Sequence, residues 1–252
     1  VGGVCSSATV GNYFYLGTNH GLFYKDINKD QDFKMIYGTE GQVWNLSKIN
    51  DELFCGHDTG TFFVKNTKAF KIGQTPGSWI FKKHPKFDNL ILQGNYNGIH
   101  ILQKEYGKWK YKNKLEGFDI SSRYFEIVND TTLLVSHEYK GVFKITFNKE
   151  IDKIHKIQMD PSVKKGINAS LIKFDEEIFY LNSEGLFRFD KNRLAFQKDE
   201  TLSKKINFED YLTGKMINDN NGRLWIFSNN RINYLQREPF SDNLKFESFF
   251  FQ

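Results

Sequence analysis

The sequence predicts an all-β fold, and within that class a β-propeller in which six four-stranded antiparallel blades are visible. A strand–turn–strand motif, first seen at residues 15–23, recurs along the whole chain. Five of the six copies end their turn with a glycine, and successive copies are 39, 38, 43, 44 and 46 residues apart. Repeats of this length, with several strands in each, are typical of propellers.

The turn-closing positions define the repeat. They are Gly21, Gly60, Gly98, Gly141 and Gly185, and Arg231 takes this place in the sixth copy. A second turn, rich in Asn, Asp and Gly, separates the first strand of each repeat from the second, as at Asn50-Asp51 and Asp175-Glu176. These residue types tolerate the left-handed backbone of tight hairpins.

Each repeat therefore divides into strands A, B, C and D. The first repeat has strands near 3–8, 13–17, 21–25 and 33–36, and the other five follow the same order. The predicted blades are approximately 1–38, 39–75, 76–115, 116–160, 161–205 and 206–252, which together form one propeller domain over 1–252.

The end of the repeat array leaves the closure of the propeller open. Either six blades close simply, or a further blade comes from sequence beyond the termini. The chain begins without Met, and we expect it to be a fragment of a longer protein with a larger propeller array. Longer insertions occupy 150–166 and 199–213, and a helical turn is predicted over 206–212.

Composition narrows the classes of function. Hydrophobic residues make up 39% of the 252 residues, enough for a large core, and the net charge is +5. The lysines are scattered, whereas nucleic-acid readers cluster basic residues on one face, so we expect no nucleic-acid contact. No apolar run reaches the length of a membrane span. Cys5 and Cys55 are expected to be buried, unpaired thiols.

Polar residues concentrate in the turns between strands B and C, which a propeller places on one face. Convergent polar groups on such a face are typical of ligand sites. The alternative is that turns are polar for reasons of backbone geometry alone. The candidate binding residues in these turns are His20, His57, Asp58, Tyr96, His137 and Glu138.

The starts of the A strands add three candidates at equivalent places in successive repeats. Trp44 and Trp79 are suited to stack on a sugar or another ring, or else they fill space between blades. Arg123 is suited to hold a carboxylate or phosphate. Trp109 and Trp225 are predicted to serve blade packing.

Catalysis is not expected. His57-Asp58 and His137-Glu138 supply acid and base groups, but adjacent turn residues point apart, and no spacing pairs carboxylates from different blades. No nucleophile elbow, phosphate loop or metal-ligand spacing is present in the sequence. We therefore predict no catalytic residues, no metal and no cofactor.

The repeat resembles the regulator-propeller repeat of Bacteroidetes sensory proteins, the two-component-regulator type. Residues 219–226 match the first half of that repeat and 16–22 the second, while Cys55, Gln93, Ser136 and Leu181 depart from it. The runs 41–46 and 117–126 are similar to those of flavobacterial members.

The resemblance implies a periplasmic propeller, followed by an immunoglobulin-like three-tyrosine module, a membrane helix and a cytoplasmic LuxR-type helix-turn-helix. It also implies that the parent protein is a membrane-anchored transcriptional regulator in signal transduction.

Three hypotheses follow for function. The first is a sensor whose central face binds a small ligand, with an oligosaccharide as one class. The second is a rigid interaction or dimerisation module without a small ligand, and the third is a carbohydrate-active enzyme. Expected partners include the remaining blades and downstream domains of the parent chain, and a second copy in a homodimer.

Overall fold

The computed structural model describes residues 2–206, 216–219, 221–227, 231–241 and 243–250. These residues form a β-propeller fold of six four-stranded antiparallel sheets, in which the strands follow each other in chain order. The predicted fold class is confirmed.

The first three sheets contain twelve strands. They are β1 (Val4–Val10), β2 (Tyr13–Thr18), β3 (Gly21–Asp26), β4 (Lys34–Met35), β5 (Val43–Ile49), β6 (Glu52–His57), β7 (Gly60–Lys65), β8 (Lys68–Gly73), β9 (Ile80–Lys83), β10 (Leu90–Asn95), β11 (Gly98–Glu105) and β12 (Lys108–Lys114).

The last three sheets contain the other twelve strands and a helix. They are β13 (Tyr124–Asn129), β14 (Thr132–His137), β15 (Gly141–Phe147), β16 (Ile154–Met159), β17 (Ser170–Phe174), β18 (Glu177–Asn182), β19 (Gly185–Asp190), β20 (Ala195–Lys198), α1 (Glu200–Lys205), β21 (Met216–Asn218), β22 (Arg223–Phe227), β23 (Arg231–Arg237) and β24 (Leu244–Phe250).

A glycine recurs at the end of the B–C turn for two physical reasons, which Gly60 and Gly98 illustrate. Their φ angles are +140° and +119°, in the region that disfavours side chains. A Cβ atom would also lie 2.1 Å from the carbonyl oxygen of Gly73 at Gly60, and 2.1 Å from that of Phe118 at Gly98. The glycine thus lets strand C approach the end of strand D, as at Gly73, or the loop that follows strand D, as at Phe118.

The helix α1 lies just before the segment in which a helical turn is predicted. Asp199 caps its N-terminus by accepting a hydrogen bond from the backbone N–H of Leu202, and Lys204 and Lys205 occupy its last turn. The predicted turn at 206–212 falls outside the described residues, except for Ile206. The cap and the terminal charges were the available sequence signals.

Close contacts divide the chain into two compact units. The first compact unit consists of Val1–Arg123, Asn129–Thr131 and Phe147–His155. The second consists of Tyr124–Val128, Thr132–Thr146 and Lys156–Gln252. Each unit has its own apolar clusters, and each is described by itself below.

In the first compact unit, apolar side chains pack between successive sheets. Leu22, Val43 and Cys55 belong to a cluster between the first two sheets, and Phe54 and Trp109 belong to one between the second and third. Trp109 is 7% exposed, which confirms its predicted role in blade packing.

The two cysteines differ in environment. Cys55 is buried and unpaired as predicted, and burial raises the pKa of its thiol. The prediction for Cys5 is wrong, because Cys5 is exposed. It occupies a bulge in β1, between Val4 and Ser6, where the sulfur accepts a hydrogen bond from Nε2 of Gln42 at 3.2 Å. The bulge turns this side chain out of the sheet's regular alternation.

Candidate functional site

The bulge of β1 recurs in β5, where the second sheet begins, and it places Trp44. Trp79 lies at the equivalent place before β9, where the third sheet begins. In the second sheet Val43 pairs with His57 and Asn45 with Gly56, so Trp44 is the extra residue. In the third sheet the backbone N–H of Trp79 donates to the carbonyl of Gly94 at 2.8 Å. Trp79 directly precedes Ile80, the first paired residue of β9. Bulges re-aim side chains and often lie beside functional sites.

Trp44, Trp79 and Tyr96 form an aromatic cluster in the first compact unit. The ring centroids of Trp44 and Trp79 are 4.5 Å apart, and those of Trp79 and Tyr96 are 5.2 Å apart. Trp44 and Tyr96 meet edge to face at 6.4 Å. The structure therefore brings together three of the predicted site residues, which come from two blade starts and one B–C turn.

Arg123, which directly precedes β13, lies on the same cluster. Its guanidinium carbon is 5.2 Å from the centroid of the Trp79 ring, within the range of a cation–π contact. Trp44 and Arg123 both lie against Trp79, so this indole is not a bare stacking platform. Trp44 and Trp79 are both half-buried, so each side chain is still partly open to solvent.

Tyr96 connects the cluster to the neighbouring blade. Its ring lies on Gly77, where a Cβ atom would come within 2.2 Å of the ring carbons. Its hydroxyl donates to Oδ1 of Asp58 at 2.9 Å. Burial, followed by this hydrogen bond and the charge of Asp58, raises the pKa of Tyr96 to about 12. Asp58 and Tyr96 thus bridge two successive B–C turns.

The indole N–H groups of Trp44 and Trp79 are buried and make no hydrogen bond. The Trp44 indole lowers the pKa of Tyr96, but its contact with the Tyr96 hydroxyl does not meet hydrogen-bond geometry. Leaving a buried donor unpaired costs about 1–3 kcal/mol, and such groups are rare in native proteins. Two of them in one cluster indicate unused binding capacity.

A buried polar network holds the loop that carries Trp79. The Thr61 hydroxyl donates to Oε1 of Gln93 and contacts the Ser78 hydroxyl, both at 2.8 Å. Asn95 accepts from Gln93 at 2.9 Å, and donates to the Ser78 hydroxyl at 3.1 Å and to the carbonyls of Thr75–Pro76 at 3.3 Å. All four side chains belong to fully buried residues. A satisfied network of this kind fixes backbone geometry.

The same loop is also held through its backbone. Gly77 donates its N–H to the carbonyl of Asp58 at 2.9 Å, and Ser78 donates to that of His57 at 3.2 Å. The loop before Trp79 is therefore fixed by the B–C turn on one side and by Asn95 on the other. Sequence reasoning missed this role of Gln93, although its departure from the family motif was the available signal.

His57 lies beside the cluster but is only 1% exposed. Its Nδ1 accepts from the backbone N–H of Thr59 at 3.0 Å, so this side chain stabilises its own turn. Burial lowers its pKa, and the carbonyl groups of Thr39 and Glu40 oppose the shift. A direct role of the His57 imidazole in binding stays a prediction.

His20 is exposed on the neighbouring B–C turn of the first compact unit. The hydroxyl of Thr18 accepts its backbone N–H at 3.1 Å, and its carbonyl accepts from Gly41 at 3.2 Å. The structure shows these backbone contacts and leaves the predicted binding role of the imidazole untested.

His137 and Glu138 belong to the second compact unit. His137 Nδ1 accepts from the backbone N–H of Tyr139 at 3.2 Å, the arrangement also found at His57. Burial, followed by the charge of Lys140, lowers the pKa of His137, while Glu138 opposes the shift. Two of the predicted histidines thus cap their own turns, and a role for His137 and Glu138 in binding stays a prediction.

A different surface pocket lies at the A–B turns of the first compact unit. It has a volume of about 620 Å³, and Tyr13, Asp51, Glu52 and Lys65 are among its lining residues. Glu52 accepts from Nζ of Lys104 at 2.7 Å and from Nε1 of Trp109 at 3.0 Å. The Glu52 carboxylate already accepts two hydrogen bonds, so it offers a ligand less unused hydrogen-bonding capacity than the aromatic cluster does.

The described residues contain neither a cluster of metal-binding side chains nor a membrane-spanning helix. They hold no group of three or more His, Cys, Asp or Glu side chains placed to bind a metal ion. Their single helix, with six residues, is too short to cross a membrane.

Solved structures with the same fold include extracellular domains of bacterial signalling proteins. One, from a protein of B. thetaiotaomicron described as a hybrid two-component system, has a TM-score of 0.64 and 14% identity, over 97% of this chain and 33% of that one. A second such domain has a TM-score of 0.60 and 15% identity, over 92% and 32%. The chain thus spans about a third of the length of these two extracellular domains.

Other propellers are similar to the same degree. A protein of Bacteroides fragilis described as a 6-phosphogluconolactonase has a TM-score of 0.60 and 10% identity, over 98% of this chain and 84% of that one. No family model matches the sequence, and no curated protein does. At these identities the similarities establish the β-propeller fold that the chain shares with the extracellular signalling domains.

Proposed function

We propose that this chain is a non-catalytic, ligand-binding propeller in the extracytoplasmic, periplasmic sensor of a signal-transducing transcriptional regulator. The observation that carries the proposal is the cluster of Trp44, Trp79 and Tyr96, in which two buried indole N–H groups have no acceptor. Binding sites commonly combine apolar surface with a few directed polar groups.

The frame around the cluster supports a binding role. The Asn95 network and the backbone contacts of Gly77 and Ser78 hold the loop before Trp79 in one geometry. A site that is formed before the ligand arrives loses less entropy on binding. The fold shared with extracellular domains of two-component systems supports the sensory class.

Calorimetric titration with a panel of oligosaccharides and cell-envelope fragments tests this function. We expect at least one compound to bind saturably, and Trp79→Phe to weaken its binding about tenfold, a typical loss for a central aromatic contact. Trp225→Phe, in the second compact unit, is the matched control and should leave the affinity unchanged. The proposal fails if no compound binds, or if both variants bind like the wild type.

One observation favours the alternative of an interaction module. Phe249 on β24, the outermost strand of the sixth sheet, is 51% exposed and stacks on Tyr234 at 5.9 Å. An exposed aromatic residue on an edge strand is suited to pairing with another chain. Light scattering of the wild type and Phe249→Ser tests this, because only the interaction module predicts a dimer that the substitution dissociates.

A further inference from the structure

Tyr96 occupies a position between the aromatic cluster and solvent. It lies in the two-residue turn between β10 and β11, its side chain is 38% exposed, and its ring packs edge-on against both indoles. Its single side-chain hydrogen bond goes to Asp58, which is itself exposed. Water competes for a hydrogen bond between partly exposed groups, so this contact can open at little cost.

The hydroxyl oxygen of Tyr96 faces a donor that it does not satisfy. The Trp44 indole lowers the pKa of Tyr96, as a donor beside its hydroxyl does, but no hydrogen bond forms between the two groups. The indole N–H of Trp79, in the same cluster, also has no acceptor. The Tyr96 hydroxyl thus leaves the cluster with two indole donors that have no acceptor.

The donors around this position favour an anionic oxygen. Both indoles can only donate hydrogen bonds, and a guanidinium prefers carboxylate partners. The Arg123 guanidinium lies 5.2 Å from the ring centroid of Trp79. Arg123 and Asp58 are both exposed, so water screens the charge of each, and the preference for an anion rests on the donors.

We propose that a small carboxylate ligand displaces the Tyr96 hydroxyl and accepts hydrogen bonds from the indoles of Trp44 and Trp79. Tyr96 then acts as a latch: its bond to Asp58 holds the site closed, and its release opens the site. This inference rests on the proposed function and names the ligand chemistry of the same site.

Tryptophan fluorescence titration with two matched pairs of probes tests the proposal. The pairs are benzoate with benzamide and D-glucuronate with D-glucose, all at one ionic strength. We expect the carboxylate of at least one pair to bind saturably and its neutral partner to bind at least tenfold more weakly, because charge-assisted hydrogen bonds are roughly twice as strong as neutral ones.

Tyr96→Phe tests the latch, since it keeps the ring and removes the hydroxyl. Losing a competing hydrogen bond should tighten carboxylate binding about threefold to tenfold. Tyr106→Phe is the matched control, because Tyr106 is fully exposed in a C–D turn and should bind like the wild type. Thermal melts of all variants confirm that they are folded.

The outcomes separate the two proposals. Unchanged or weaker carboxylate binding by Tyr96→Phe overturns the latch, and neutral probes that bind as well as carboxylates overturn the carboxylate class. If no carboxylate binds either protein, the carboxylate class is wrong. In each case the proposed function is decided separately, by whether any panel compound binds in a manner that depends on Trp79.

Discussion

The four tryptophans of the chain fall into two kinds of region. Trp109 and Trp225 have indole N–H groups that donate to carboxylates, Trp109 to Glu52 at 3.0 Å and Trp225 to Asp219 at 2.8 Å. Trp44 and Trp79 lie at the starts of sheets, and their indole N–H groups make no hydrogen bond. Trp109 and Trp225 are therefore carboxylate-bonded tryptophans, whereas Trp44 and Trp79, the cluster tryptophans, keep unused hydrogen-bonding capacity.

The largest expected effect is a difference in stability loss between a carboxylate-bonded tryptophan, Trp109, and a cluster tryptophan, Trp79. Trp109→Ala removes a 7% exposed ring from an apolar cluster and leaves Glu52 without one of its donors. We expect a loss of about 3–5 kcal/mol in the free energy of unfolding. Trp79→Ala removes a half-buried ring whose N–H was unpaired, and we expect about 1–2 kcal/mol.

Urea unfolding followed by far-UV circular dichroism measures both losses. Equal losses of unfolding free energy for the two variants would contradict the division into carboxylate-bonded and cluster tryptophans. A greater loss for Trp79→Ala would make Trp79 a structural residue first and a binding residue second.

A smaller effect concerns the frame beneath Trp79. Asn95→Ala removes donors from Ser78 and from the Thr75–Pro76 carbonyls, and leaves Gln93 without its acceptor. We expect a loss of about 2–3 kcal/mol in the free energy of unfolding, because several buried groups lose their partners. The exposed Asn28→Ala is the control and should change stability by less than about 0.5 kcal/mol. Similar losses for both variants, measured by urea unfolding, would show that the network does not hold the loop.

The smallest effect is in the alkaline titration of tyrosine. Burial, first, and Asp58 raise the pKa of Tyr96 from 10.0 to about 12. A raised folded-state pKa means that the folded protein holds this proton longer than the unfolded chain. Its contribution to stability is therefore complete below pH 10 and is lost as the pH rises through 12.

Ultraviolet titration of phenolate formation in the wild type and Tyr96→Phe measures this group. Tyr15 and Tyr180 also have pKa values raised to about 12, and burial raises the pKa of Tyr111, so Tyr96→Phe should reduce the late-titrating group by one tyrosine. Loss of an early-titrating tyrosine instead would mean that Tyr96 is not held against Asp58.

The fold was largely predictable because backbone geometry leaves a direct mark on sequence. The turn glycines combine a positive φ with close approach to a carbonyl group, as Gly60 does, so few other residues fit. The helix α1 escaped prediction because six residues carry little periodic signal. The exposure of Cys5 was missed because a bulge breaks the alternation from which burial was inferred.

The candidate site was predictable only in part. The equivalent positions of Trp44, Trp79 and Arg123 in successive repeats indicated a shared location, and the structure brings these three together. The contact of Tyr96 with Asp58 depends on how two blades pack, which no local pattern reports. The sequence could not separate turn histidines that bind a ligand from those that cap their own turn, because both roles call for the same polar side chain. His57 caps its own turn.

Fluorine NMR of the protein labelled with 5-fluorotryptophan tests the central claim most directly, because the four indoles report separately. Addition of a compound that binds by calorimetry should shift the Trp44 and Trp79 resonances saturably, with the calorimetric affinity, and leave those of Trp109 and Trp225 in place. Resonance shifts confined to Trp109 or Trp225, or no resonance shift at Trp44 and Trp79 on saturation, would contradict the assignment of ligand binding to the cluster tryptophans.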